Sequence, residues 1–244
     1  MRYGLDITSA GSWGRPDQIA ELATLAEDHG WDGVFCEDYL AFPGGGATYD
    51  VWVTLALVAQ ATTRLTIGTM VTPVPARHAP TLSLQVASVA AVADGRLVLG
   101  VGSGDPAGDP VLGDAPSRVD ALESGLAAVR EACADVPVWV GGAITKPGPR
   151  ARALRWEGAC LYRVPPPEWE DLTPDDVAAL RADAGPAPYV IAVGGRERRK
   201  DLDAERAYVA ALAEAGADWW HEYVPPRLDL AEARGRIVAG PLRP

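Results

Sequence analysis

The chain has 244 residues, 48% hydrophobic, 23% charged and 7% aromatic, which is enough apolar material for a full-sized core. Lys and Arg number 22 against 33 Asp and Glu, a formal net charge of −11; that balance argues against nucleic acid, whose phosphates need a basic face. Three widely spaced cysteines, Cys36, Cys133 and Cys160, support neither a disulfide framework nor a cysteine-based zinc site. With no apolar run long enough for a signal peptide or a membrane span, a cytoplasmic protein without membrane partners is expected.

Short apolar runs alternate with longer runs whose apolar positions recur three and four apart, so strands and helices are expected in turn. A first strand is predicted over Tyr3 to Ile7, then a helix opened by Pro16 and Asp17 that runs through Glu27. Gly33 to Asp38 reads as the second strand, and Val51 to Ala61 as the second helix beyond a loop carrying Gly44, Gly45 and Gly46. Leu65 to Val71 reads as an unbroken third strand, followed by a helix to Ala93 with Pro80 in its first turn, where a missing amide proton costs nothing. Arg96 to Val101 is the fourth strand, and Val119 to Cys133 the fourth helix.

The second half repeats the scheme. Strands are predicted over Val136 to Val140, Cys160 to Val164, Tyr189 to Val193 and Trp219 to Tyr223. Helices are predicted over Arg150 to Trp156, from Thr173 to about Ala182, over Asp203 to Ala215 and over Leu230 to Ile237; Thr173 with Pro174 and Asp175 behind it is a cap signal. Most of these strands are apolar on both faces, as when helices cover one face and a barrel interior the other. Eight such units in roughly 250 residues match an α/β single (β/α)8 barrel. An open doubly wound sheet is the alternative, but Thr8 to Gly14 is not its glycine-rich phosphate turn. No linker divides the chain, so residues 1–244 are expected to form one domain.

Chemistry in such a barrel belongs at the carboxyl ends of the strands. These ends carry Asp6, then Glu37, Asp38 and Tyr39, then Met70, Val71 and Thr72, then Gly102 to Asp105. Further on come Gly141 and Gly142, Arg163, Gly194 and Gly195, and finally His221 and Glu222. The glycines let a ligand approach the backbone, whose amides donate to anions; a phosphate at the fifth strand fits. Plain turns, helix caps and arginine partners are the ordinary alternatives for such residues. The neighbours Glu37 and Asp38 are expected on opposite faces, with only one looking into the mouth. No second histidine stands at another strand end, so no metal is expected.

From Leu65 the chain reads Leu-Thr-Ile-Gly-Thr-Met-Val-Thr-Pro-Val-Pro-Ala-Arg-His-Ala-Pro, and from Asp94 it reads Asp-Gly-Arg-Leu-Val-Leu-Gly-Val-Gly-Ser-Gly. With Tyr49-Asp50-Val51-Trp52 and Pro137-Val138-Trp139-Val140-Gly141-Gly142, this order resembles the bacterial luciferase-like superfamily of flavin- and deazaflavin-dependent oxidoreductases. The resemblance runs from about Gly33 to Gly142 and is looser on either side. It implies a barrel holding FMN or the deazaflavin coenzyme F-420, a non-prolyl cis peptide at Met70-Val71 behind the cofactor ring, and a phosphate site at Gly141 and Gly142. Met70, Val71, Gly102, Gly104, Gly141 and Gly142 are thus the expected cofactor residues, and Lys146 and Arg77 are basic residues able to meet the cofactor's anionic part.

Departures from the family pattern also carry information. The second strand of deazaflavin members often ends in Asp-His, whereas this chain has Asp38-Tyr39, a hydrogen-bond donor but a poor base at neutral pH. An acidic residue after the fourth strand is matched by Asp105, so Asp38, Tyr39 and Asp105 are the catalytic candidates. Only about a dozen residues, Asp105 to Ser117, stand where the family carries a long insertion. That shortening suits hydride transfer to or from a small organic substrate better than the oxygen activation of a monooxygenase. Trp13, Trp52 and His78 are further candidate neighbours of ring or substrate, and the family implies a homodimer. Competing readings are a degenerate, non-catalytic homologue that still binds the flavin, a cofactor-free subunit marked by a collapsed site and a trans Met70-Val71 bond, and a cofactor-independent hydrolase or lyase in which Asp6, Glu37 and Glu222 converge.

Overall fold

The computed structural model describes residues 1–104, 115–164, 168 and 170–243. In its first half β1 (Arg2–Thr8), α1 (Pro16–Asp28), β2 (Gly33–Glu37), α2 (Val51–Ala61), β3 (Thr66–Thr69), β4 (Thr72–Pro73), α3 (Ala79–Ala93), β5 (Leu97–Gly102) and α4 (Ala115–Ala132) follow in order. The second half adds β6 (Val138–Ala143), α5 (Pro147–Ala153), β7 (Gly158–Tyr162), α6 (Pro174–Ala184), β8 (Val190–Arg196), α7 (Leu202–Glu214), β9 (Trp219–Val224) and α8 (Leu230–Val238). All strand pairings are parallel, and β1 joins β9 while β3 joins β5, so the sheet closes on itself with the helices outside. This is the (β/α)8 barrel expected from the alternation, with β3 and β4 together serving as its third strand.

The third strand is not continuous as its composition suggests: it is interrupted at Met70-Val71, and that peptide is cis, as the family resemblance implies. Before the interruption Gly68 lies opposite Val98, and after it Thr72 lies opposite Val101, so this side of the ladder holds one residue more than its neighbour. Periodicity cannot show such an interruption, because Met, Val and Thr continue an ordinary strand composition. Smaller corrections concern β6, which runs on through Gly141 and Gly142 to Ala143, and β7, which begins two residues early at Gly158. The shortened connection after the fourth strand and Asp105 lie outside the described residues.

Helix starts follow their local chemistry. Asp50 caps α2 by accepting from the amides of Trp52 and Val53, and Thr173 forms a capping box with Asp176 on α6. The outer faces of the strands pack on the helices in one continuous apolar cluster that includes Leu5, Ile7, Leu55, Ile67, Leu99, Val140 and Ile191. A smaller cluster plugs the lower barrel interior: Phe35, Val98, Trp139, Ala192 and Trp219, with Met70 and Cys160 resting on it. Phe35 stacks on Trp139 with ring centroids 5.5 Å apart. Filling the lower interior with large rings leaves the upper interior open, and that places the site.

Candidate active site

Above the aromatic plug a cavity of about 770 Å³ opens at the carboxyl ends of the strands. One side is lined by residues that barely protrude. Val71, just past the interruption in the third strand, turns its side chain over Gly102 and Gly141; a Cβ at Gly102 would stand 2.9 Å from Val71 Cγ2, and one at Gly141 would stand 3.1 Å from Val71 Cγ1. The two glycines therefore make the space that Val71 fills, and together with Met70 they form a smooth apolar wall. Gly142, Gly194 and Gly195 continue the rim with φ of +142°, +107° and +93°, values that side-chain-bearing residues rarely adopt, so backbone faces the cavity there.

The other side, on β1, β2 and β9, is polar. His221 Nδ1–H donates to Asp6 Oδ1 at 2.7 Å; both residues are buried, and the His221 ring lies 4.5 Å from Phe35 between centroids. No hydrogen-bond partner accompanies the buried His221 Nε2 among the described residues. One turn of the pleat higher, the Thr8 hydroxyl donates to Glu37 Oε2 and lies 3.0 Å from the Tyr223 hydroxyl. Burial pushes the Glu37 carboxyl up to about 7, with Asp6 adding in the same direction and the hydroxyls of Thr8 and Tyr223 opposing. Burial likewise lifts Asp38 to about 6 against the pull of the Arg77 guanidinium, which donates to Asp38 Oδ1 and, at 3.2 Å, to Asp50 Oδ2.

Of the residues singled out from sequence, Asp38, Tyr39, Met70, Val71, Gly102, Gly104, Gly141 and Gly142 all line this one cavity. Glu37 lines it too, so the expected division of Glu37 and Asp38 between faces does not hold. The reason is that β2 ends at Glu37; Asp38 lies beyond the ladder, where strict alternation lapses. Glu222 points away and pairs with Arg198 at 2.8 Å, which removes the convergence of Asp6, Glu37 and Glu222 that a hydrolase would use. Arg77 is occupied by two carboxylates and is no free anchor for an anion.

The remaining aromatic candidates belong to the framework. Trp13 donates to the Leu228 carbonyl at 2.8 Å, Trp52 is buried in α2, and His78 sits at the start of α3 with Nδ1 3.0 Å from Thr81. Sequence reasoning missed the Asp6–His221 pair and the Thr8–Glu37–Tyr223 group, since β1, β2 and β9 are brought together only by barrel closure. Their one sequence signal was the placement of polar residues at strand ends. Among the described residues no cluster of His, Cys, Asp or Glu is arranged to hold a metal ion, and no helix is long and apolar enough to cross a membrane.

The family model for luciferase-like monooxygenases matches residues 3–239. The F420-dependent glucose-6-phosphate dehydrogenase of Nakamurella multipartita is 32% identical over 174 residues, which cover 68% of this chain and 48% of that protein. The chain thus spans about half the length of the curated relatives it matches. Among solved structures, the coenzyme F420 dependent tetrahydromethanopterin reductase of Methanopyrus kandleri superposes with a TM-score of 0.72 at 14% identity, covering 96% of both chains. The monooxygenase RslO1 of Streptomyces bottropensis gives 0.73 at 16% identity, covering 98% of this chain and 97% of its own. At these identities the structural matches speak for the barrel and not for a reaction.

Proposed function

The chain belongs to the luciferase-like monooxygenase family, and we propose that it is a flavin- or deazaflavin-dependent oxidoreductase acting on a small organic substrate. The observation that carries this reading is the cavity's low wall, where Val71 packs into the space left by Gly102 and Gly141. A flat tricyclic ring needs an apolar surface without protruding side chains, and Met70 and Val71 provide one. Room is adequate: cavities that bury ligands of this size run to roughly 300–1,000 Å³. Backbone amides at Gly141 and Gly142 would hold the cofactor's phosphate, with Gly102 and Gly104 beside the ring; Lys146 is exposed at the start of α5. The residues present therefore fit such a group.

When bound, the flavin or deazaflavin would supply two-electron hydride chemistry. The protein's own residues orient the substrate and exclude water. Tyr39, half-buried at the rim with its ring edge-on to Phe42, is proposed to hold a substrate oxygen. Asp38, fastened by Arg77, keeps that rim in place, and Asp105, which lies outside the described residues, is proposed as an acidic partner. The relatives' names favour the deazaflavin over FMN, and hydride transfer over oxygenation. Titrating the protein with FMN and with the deazaflavin, followed by fluorescence, is the test: micromolar binding of one is expected, and binding of neither overturns the proposal.

Residues 1–244 are proposed to act as one domain in the cytoplasm. A homodimer is supported by the exposed Val53 and Leu57 on α2 and Leu84 and Val92 on α3, an apolar outer surface on adjoining helices. Light scattering at micromolar concentration reads this directly, and a monomer removes it.

A further inference from the structure

Four carboxylates line the described cavity: Asp6, Glu37, Asp38 and Glu197. Three are held by a basic partner: Asp6 receives His221, Asp38 receives Arg77, and Glu197 receives Arg227 and, at 3.1 Å, Arg236. The side-chain partners of Glu37 are the hydroxyls of Thr8 and Tyr223. A carboxylate fastened to a guanidinium loses that ion pair when it takes a proton, so the pairing opposes protonation, whereas one held by hydroxyls can carry either state, because a hydroxyl serves as donor or acceptor. Glu37 is also half-buried and faces the open space, so a ligand can reach it.

The charge of the cavity narrows the ligand. Its one arginine, Arg196, donates to Asp171 at 2.5 Å and to both oxygens of Glu205 at 2.9 Å. A phosphorylated or carboxylated substrate beside Glu37, Asp6 and Asp38 would meet like charge at close range with no free cation lining the described cavity to offset it.

We propose that Glu37 is the catalytic residue that exchanges a proton with the substrate oxygen, and that the substrate is an uncharged alcohol or its carbonyl product. The proposal rests on the oxidoreductase reading above. In the oxidising direction the substrate O–H bond breaks and its proton passes to the Glu37 carboxylate. The carbonyl π bond forms as the C–H electron pair leaves as hydride, and the two-electron acceptor is an oxidised flavin or deazaflavin. The alcohol loses one hydride and one proton, and the reverse direction returns both. The hydroxyls of Thr8 and Tyr223 hold the carboxyl, and Tyr223 lines the same cavity. Groups that act on Glu37 are Asp6 and Thr8 from β1, Tyr223 from β9, and Cys36 from its own strand.

The test uses the full chain, with and without cofactor. Infrared difference titration of the cofactor-free protein should show a protonated carboxyl lost with a midpoint near 7 and missing from Glu37→Gln; a Glu37 midpoint below 5.5 overturns the proposal. With cofactor bound, a panel of neutral alcohols and ketones including cyclohexanol and cyclohexanone is compared with glucose 6-phosphate. Turnover of neutral compounds that falls at least about 100-fold in Glu37→Gln, with cofactor affinity unchanged and partial recovery in Glu37→Asp, is expected. Turnover of the phosphate alone, turnover of nothing, or a Glu37→Gln rate equal to the parent overturns it. Should Glu37→Gln fail to fold, Tyr223→Phe must instead move the midpoint upward, and an unmoved midpoint overturns the proposal. Absence of cofactor binding defeats the oxidoreductase reading separately, because the infrared midpoint is read without cofactor.

Discussion

The two sides of the barrel mouth are built on opposite plans. On β3 to β6 the surface is made mainly of glycines with Met70 and Val71, and its shape comes from what has been left out. On β1, β2 and β9 it is made of Asp6, Thr8, Glu37, His221 and Tyr223, each bonded to another member of the group. A wall of the first kind suits a flat, apolar ring and has little tolerance for added atoms. A wall of the second kind can hold oxygen atoms and move protons, and its cost appears in the raised proton affinity of Glu37. Under the proposed function, both plans in one cavity would keep a redox group and a proton-exchanging group apart and leave a substrate between them.

The low wall is tested most severely at Gly100. A Cβ there would fall on the Thr69 carbonyl oxygen, backbone against backbone, with Val71 next to it. Gly100→Ala should destabilise the fold by on the order of 4 kcal/mol, read by urea unfolding; a change under about 1 kcal/mol would show that the low wall is not close-packed.

A second prediction concerns pH and the polar wall. The folded Glu37 carboxyl stands near 7 against 4.5 for its ordinary value, so between these the folded state binds more protons than the unfolded chain and stability falls as pH rises. Glu37→Gln removes that dependence. It should gain up to about 3 kcal/mol relative to the parent above pH 7 and nothing below pH 4.5, since each tenfold change in proton affinity is worth about 1.4 kcal/mol. Parallel unfolding curves at pH 4 and pH 8 that differ equally for both proteins would contradict it.

Gly102→Ala probes the low wall without breaking the backbone. Only Val71 Cγ2, at 2.9 Å, must move, so stability should change by about 1 kcal/mol while cofactor affinity falls about tenfold or more, read by titration. Unchanged affinity would mean that the ring does not rest on Val71. The mildest change is Tyr223→Phe, which removes a hydroxyl that holds the Glu37 carboxylate. The Glu37 midpoint should move up by about half a pH unit with stability altered by about 1 kcal/mol, and a downward movement would reverse the assignment of Tyr223 as its donor.

Much of the barrel was legible from residue pattern. The eight strand and helix alternations, the cap at Thr173 and the start of α1 at Pro16 are local, since they depend on neighbours three or four residues away. The glycine side of the cavity was legible as well, because Gly102, Gly141 and Gly142 stand at strand ends and belong to a motif that resembles a known family. The family likeness also pointed to Met70-Val71, although the composition of that stretch reads as an unbroken strand. The polar side was not legible in its pairings: Asp6 and His221 are 215 residues apart, and nothing near either one indicates the other.

The amino-acid order by itself determined the fold class, the acidic charge of the chain and which strand ends carry chemical groups, because these follow from short-range periodicity and residue type. Which carboxylate received a basic partner and which received hydroxyls was decided by tertiary structure alone. That outcome depends on barrel closure setting β9 beside β1 and on the loop before α3 bringing Arg77 to Asp38. Proton affinity is set by the few ångströms around a buried group, and those neighbours come from distant parts of the chain.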